Sequence, residues 1–173
     1  IPPNIRVKIC ISGPKEVLSP KSHKFEVSEL EKWNKFTGNP VSIWSYHLVG
    51  FNQSMPDIVE TYPRKINQFI QAIRGKSIGM FMEVGNGSFT RDILDRYVYY
   101  RLMKNPDLDV EKEIDEFFAI SYGPGAAEAK QFFNRLEYLF EYFWKKTVVD
   151  TVRRSRVTPW DRSHETKRKL WEI

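Results

Sequence analysis

The chain has one cysteine, Cys10, and three histidines in 173 residues. A lone thiol excludes an internal disulfide framework and any zinc centre built on cysteines. His23 and His164 stand in polar surroundings without ligand spacing, so they are expected at the surface and no metal is expected. No run reaches the roughly 18 apolar residues of a membrane-crossing helix. Ile1-Pro2-Pro3-Asn4 has neither the basic start nor the apolar centre of a signal peptide, so no membrane contact is expected. Glycine is scarce, at nine residues. Neither Ser12-Gly13-Pro14-Lys15 nor Gly85-Asn86-Gly87 completes a phosphate-loop or dinucleotide pattern, and no cofactor is expected.

What is present is an ordinary globular composition, 41% hydrophobic, with net charge +5. The charge is uneven. From Thr151 to Ile173 seven basic side chains face three acidic ones, and the rest of the chain is near neutral. A basic end on a neutral body suits a solvated terminus or docking segment better than a nucleic-acid surface, so nucleic acid is disfavoured as a partner. The length suits one domain or part of a larger one, and it falls short of the roughly 200 residues of a complete eight-fold β/α barrel. A chain that starts without Met a few residues before a strand is expected to be a fragment.

Ile5, Val7, Ile9 and Ile11 alternate with Arg6, Lys8 and Cys10, the period of a strand with one buried face. Cys10 there is expected as a buried apolar filler. Ser28-Glu29-Leu30-Glu31 has the form of a capping box opening a short helix after a loop from Ser12 to Glu26, and Gly38-Asn39-Pro40 stops that helix. Val41 to Val49 is β-branched and aromatic, a second strand. Pro63 suits a first helical position, and Ile66, Phe69, Ile70 and Ile73 form the apolar face of a helix ending at Gly75. Ser77 to Val84 is a nearly continuous apolar run, typical of a parallel strand buried on both faces. Helices follow: Thr90 to Lys104, one capped by Asp109 and running to about Tyr122, and Ala126 to about Arg153. The last carries the stripe Phe132, Phe133, Leu136, Leu139, Phe140 and Phe143, which suits packing. Strand and helix alternating three times predict an α/β fold with a parallel sheet.

The stretch Trp33…Ile43-Trp44-Ser45-Tyr46, with Asn52, Pro56, Gly79-Met80-Phe81-Met82-Glu83, Tyr99 to Val110, Ile114-Asp115-Glu116-Phe117 and Tyr122-Gly123-Pro124, resembles an uncharacterised bacterial family. Its members are large carbohydrate-active proteins, classed as a domain of unknown function and distantly similar to α-glucuronidases and β-hexosaminidases. The resemblance covers about residues 4 to 140. It implies the C-terminal portion of a (β/α)8 TIM barrel, a glycoside-hydrolase-like protein. Residues 1–104 would be its last β/α units, 105–153 closing helices and 154–173 a basic tail, with the missing strands before Ile1. The parent would be secreted, periplasmic or cell-surface. The pattern departs at Ser45, where such relatives often carry an acid between the two aromatics.

Glycoside hydrolysis ordinarily uses two carboxyl groups, placed in a barrel at strand C-termini. Glu83 ends an apolar strand before Gly85-Asn86-Gly87, and is the candidate catalytic or auxiliary carboxylate. Helix capping or pairing with Arg91 is the competing use. No second catalytic carboxylate stands out, so the isolated chain is expected to lack the full pair. Trp44, Tyr46 and His47 cluster at the end of the second strand, where aromatic faces could stack on sugar rings, although one of the aromatics could equally fill the core. Asn52 and Asn86 are candidate hydroxyl-binding residues on loops at the same end. The expected partners are carbohydrate and either the remainder of a barrel or a second copy of the chain. The alternative is a non-catalytic interaction module whose aromatic-rich helices, Leu94 to Phe143, pack on a partner.

Overall fold

The computed structural model describes Pro2 and residues 4–47, 59–84 and 92–154, with side chains at all of these except 47 and 146–154. Its strands are β1 (Lys8–Ile11), β2 (Val41–His47) and β3 (Ser77–Val84). They form one parallel sheet in the order β1-β2-β3, with β2 central. The helices are α1 (Pro20–Thr37), α2 (Pro63–Ile73), α3 (Ile93–Lys104), α4 (Val110–Tyr122) and α5 (Ala126–Arg154). The fold is α/β, as the alternating pattern predicts.

Most elements follow from local chemistry. In β1 the exposed Lys8 and Cys10 alternate with the buried Ile9 and Ile11. The strand is shorter than its pattern: Ile5 precedes it and is 52% exposed. Pro63 opens α2, and Ile66, Phe69, Ile70 and Ile73 are buried along one face, each worth about 1.5–3 kcal/mol of transfer free energy. The Asp109 carboxylate accepts from the amides of Glu111 and Lys112, which satisfies two free donors at the start of α4.

α1 departs from expectation. It begins at Pro20, whose fixed φ suits the first helical position, and not at Ser28. Ser28 lies inside the helix, where its hydroxyl donates to the carbonyl of Phe25 three residues back. A capping box needs free amides, and by Ser28 the helical ladder has already claimed them. His23 is correspondingly half-buried, not fully at the surface, with Nδ1 lacking a partner among the described residues.

The core lies between the sheet and the helices on one of its faces: Ile9, Ile11, Val41, Ile43 and Met82 pack with Leu30, Ile66, Phe69, Val98, Tyr99 and Leu102. β3 is therefore not covered on both faces, for Ile78 is 60% and Phe81 48% exposed. Ile78 is also displaced by a bulge, since neighbouring β2 residues Val41 and Ser42 pair with Ser77 and Gly79 and skip it. α4 and α5 close the helical side. Arg64 of α2 bonds Glu137 and Asn134 of α5 and Glu111 of α4, and Lys65 pairs with Glu141 at 3.1 Å. The Tyr62 and Phe140 rings meet at 5.4 Å.

Candidate functional site

A parallel register puts laterally paired residues on the same face of the sheet, and the helices cover only one. Cys10, Trp44 and Phe81 form one row of the uncovered face, Tyr46 and Glu83 the next, and Lys8, Ser42 and Gly79 the row before them. Period-two alternation makes this placement automatic once Ile9, Ile43 and Met82 are buried on the helical side.

These side chains touch. The Trp44 indole N–H donates to Glu83 Oε2 at 2.7 Å, a diagonal bond between neighbouring strands. The Trp44 and Phe81 rings lie 4.6 Å apart, tilted by 56°. The Lys8 ammonium stands 5.7 Å from the Trp44 ring centre and 5.8 Å from that of Phe81, within cation–π range. Cys10, then partial burial, then Glu83 push the Tyr46 phenol above its ordinary pKa. The result is an aromatic surface with one anchored carboxylate and one ammonium. Among the described strand residues Glu83 is the sole acid.

The face brings together three of the residues singled out from sequence, Trp44, Tyr46 and Glu83. Neither aromatic is lost to the core: both are half-buried on the open side. Glu83 is held by Trp44. His47 ends β2, and its side chain is not among those described. Asn52 and Asn86 lie outside the described residues. Cys10 is exposed on the open face, not a buried filler, because it alternates with Ile9 and Ile11. Lys8 and Phe81 belong to the site and were not singled out. Their signal was lateral register, which no single strand carries.

Ser45 faces the other way. It is wholly buried, its Oγ 3.0 Å from the Tyr99 hydroxyl, which also lies 2.9 Å from Met80 Sδ. Position 45 therefore contributes nothing to the open face, and serine there removes no carboxylate from it. Gly13, at φ +87°, packs directly on it: a Cβ on Gly13 would stand 2.2 Å from Ser45 Oγ. Glu26 of α1 fixes this turn by accepting from the amides of Ser12 (2.6 Å) and Gly13 (3.3 Å). Burial still raises its pKa.

Buried acids gather where the chain enters α2 and α3. Asp95 accepts from the Tyr62 amide through both carboxylate oxygens and from the Thr61 hydroxyl at 3.1 Å, so α3 caps the start of α2. Burial pushes its pKa well up against those donors. Glu60 is 3% exposed, and its carboxylate makes no well-aligned hydrogen bond among the described residues, the Tyr62 hydroxyl being its near neighbour. Burial raises its pKa to about 7, Asp92 adding to the rise while Lys15 and Tyr62 oppose it. Asp92 is paired with Arg96 at 2.6 Å. No group of three or more potential metal ligands occurs among the described residues, and none of their helices is long and apolar enough to cross a membrane.

A family model described as "Domain of unknown function (DUF4838)" matches residues 1–134. No curated protein and no solved structure matches the chain.

Proposed function

We propose a function from the premise that the chain belongs to the family of domains of unknown function DUF4838: the C-terminal end of its open sheet face, at Trp44, Tyr46 and Glu83, is one wall of a carbohydrate-binding cleft in a glycoside-hydrolase-like protein. In this reading the three β/α units are the closing part of a TIM-type barrel whose other strands come from a longer protein. Consecutive parallel strands joined by crossovers of one hand lay their helices on one side, which is the winding that closes a barrel. Both outer edges of the sheet are unpaired among the described residues.

The observation that carries the reading is the contact of Trp44 with Phe81 and Glu83 on the uncovered face, with Tyr46 in register beside Glu83. Aromatic faces stack on the C–H faces of sugar rings, and carboxylate and phenol exchange hydrogen bonds with hydroxyls. The Trp44 bond holds Glu83 in one orientation, a requirement for a group that positions a sugar. Hydrolysis needs a second carboxyl flanking the bond, and the described strands supply one. In this reading the described strands contribute glycan contacts and one of the two carboxyl groups.

The test is a titration of the chain with a panel of soluble oligosaccharides and polysaccharides, read by tryptophan fluorescence and calorimetry. Binding is expected for at least one glycan, weakened roughly tenfold by Trp44→Ala, the loss of one stacking contact. Glu83→Gln should weaken it less and leave the fluorescence change. A panel without a ligand, or a Trp44→Ala chain that binds as well as the wild type, overturns the reading.

A further inference from the structure

Among the described residues the helices leave a second surface uncovered, on the far side of α5. Its inward face is occupied: Glu137, Phe140 and Trp144 are buried, and Phe133 packs on the core. Its outward face carries Glu128, Gln131, Arg135, Tyr138, Tyr142 and Lys145, all exposed. The intervals are 3, 4, 3, 4 and 3, the spacing by which one helix presents a continuous seam to another. Phe132, 61% exposed, flanks the seam, and Tyr138 within it is 58% exposed. Glu128, Gln131, Phe132, Arg135 and Tyr138 line a shallow groove along it.

We propose that this seam binds a second copy of the chain as an antiparallel helix pair about a two-fold axis between Arg135 and Tyr138. The order of charges selects this occupant. In that arrangement Glu128 meets Lys145 of the other copy, Gln131 meets Tyr142, and Arg135 meets the Tyr138 ring. Each contact occurs twice, as an isologous interface requires. A parallel pairing would set Glu128 on Glu128, Arg135 on Arg135 and Lys145 on Lys145, all repulsive.

The present partners of these groups are weak. Lys145 lies 3.5 Å from Glu141 in its own helix with 61% of its side chain exposed, and Arg135 lies 5.3 Å from its own Tyr138 ring. Exposed pairs of this kind contribute at most about 1 kcal/mol. The seam spans roughly 26 Å of helix, less than a standard interface, so the association is of the weak, concentration-dependent kind. No seam residue lies on the open sheet face, and the inference stands apart from the carbohydrate reading.

Sedimentation velocity from about 2 to 200 µM at low salt tests it. The wild-type sedimentation coefficient should rise with concentration. Glu128→Lys and Lys145→Glu, each alone, should weaken association roughly tenfold or more. An equimolar mixture of the two singly substituted chains should regain it, because both ends of the mixed pair then carry opposite charges. Circular dichroism confirms that the variants fold. A monomer at the highest concentration, a dimer indifferent to the swaps, or a mixture as weak as its components overturns the proposal. Indifference would place the contact on another surface.

Discussion

Glu60 should make this protein less stable as pH rises, in a window that one substitution can isolate. Its carboxyl is buried and holds its proton up to about pH 7, burial outweighing the nearby Lys15 and Tyr62. In the unfolded chain an ordinary glutamate loses that proton near 4.3. Between those values the folded state binds more protons than the unfolded one, so stability falls as pH climbs and levels off above about 7. At about 1.4 kcal/mol per pKa unit the full loss approaches ~4 kcal/mol, an upper bound because water penetration and relaxation soften buried sites. Glu60→Gln keeps the shape and removes the titration. Urea unfolding of both chains at pH 5 and pH 8 is the assay, with the slope checked to be unchanged. The variant should match the wild type within about 1 kcal/mol at pH 5 and exceed it by ~2–3 kcal/mol at pH 8. Asp95, raised first by burial and in smaller part by the Glu60 charge, adds a background slope to both chains that is shallower in the variant by the Glu60 share. Equal losses between pH 5 and pH 8 in both chains would refute the reasoning.

Gly13→Ala should cost roughly 2–4 kcal/mol, from left-handed backbone strain and the collision with Ser45 Oγ. Gly13→Ala combined with Ser45→Ala should recover part of that in chemical unfolding, and a strictly additive double variant would count against the packing account. Asp95→Ala should cost about 2–4 kcal/mol at pH 5, because the Thr61 hydroxyl and Tyr62 amide lose their acceptor in a dry interior. A loss below about 0.5 kcal/mol would show that water reaches the site.

Local chemistry was enough for much of the fold. A proline opening α2, four apolar residues at helical spacing, Asp109 at a helix start and β1's two-residue alternation are short-range signals, and each survives into the structure. Trp44, Tyr46 and Glu83 were legible as a group because each lies at or near the end of its strand. The misreadings share one cause. Ser28-x-x-Glu31 has the form of a helix start, but the chain had already turned helical at Pro20. Cys10 was legible as apolar but not as exposed, and the run Ser77 to Val84 as a strand but not as a one-sided one. Alternation says that two faces differ; it does not say which of them the helices will cover. That was settled when α1, α2 and α3 packed on the same side of the sheet, while the register of the strands placed Lys8 and Phe81 beside Trp44. Burial and lateral register are properties of elements brought together from distant parts of the chain, and so the tertiary structure alone decided them.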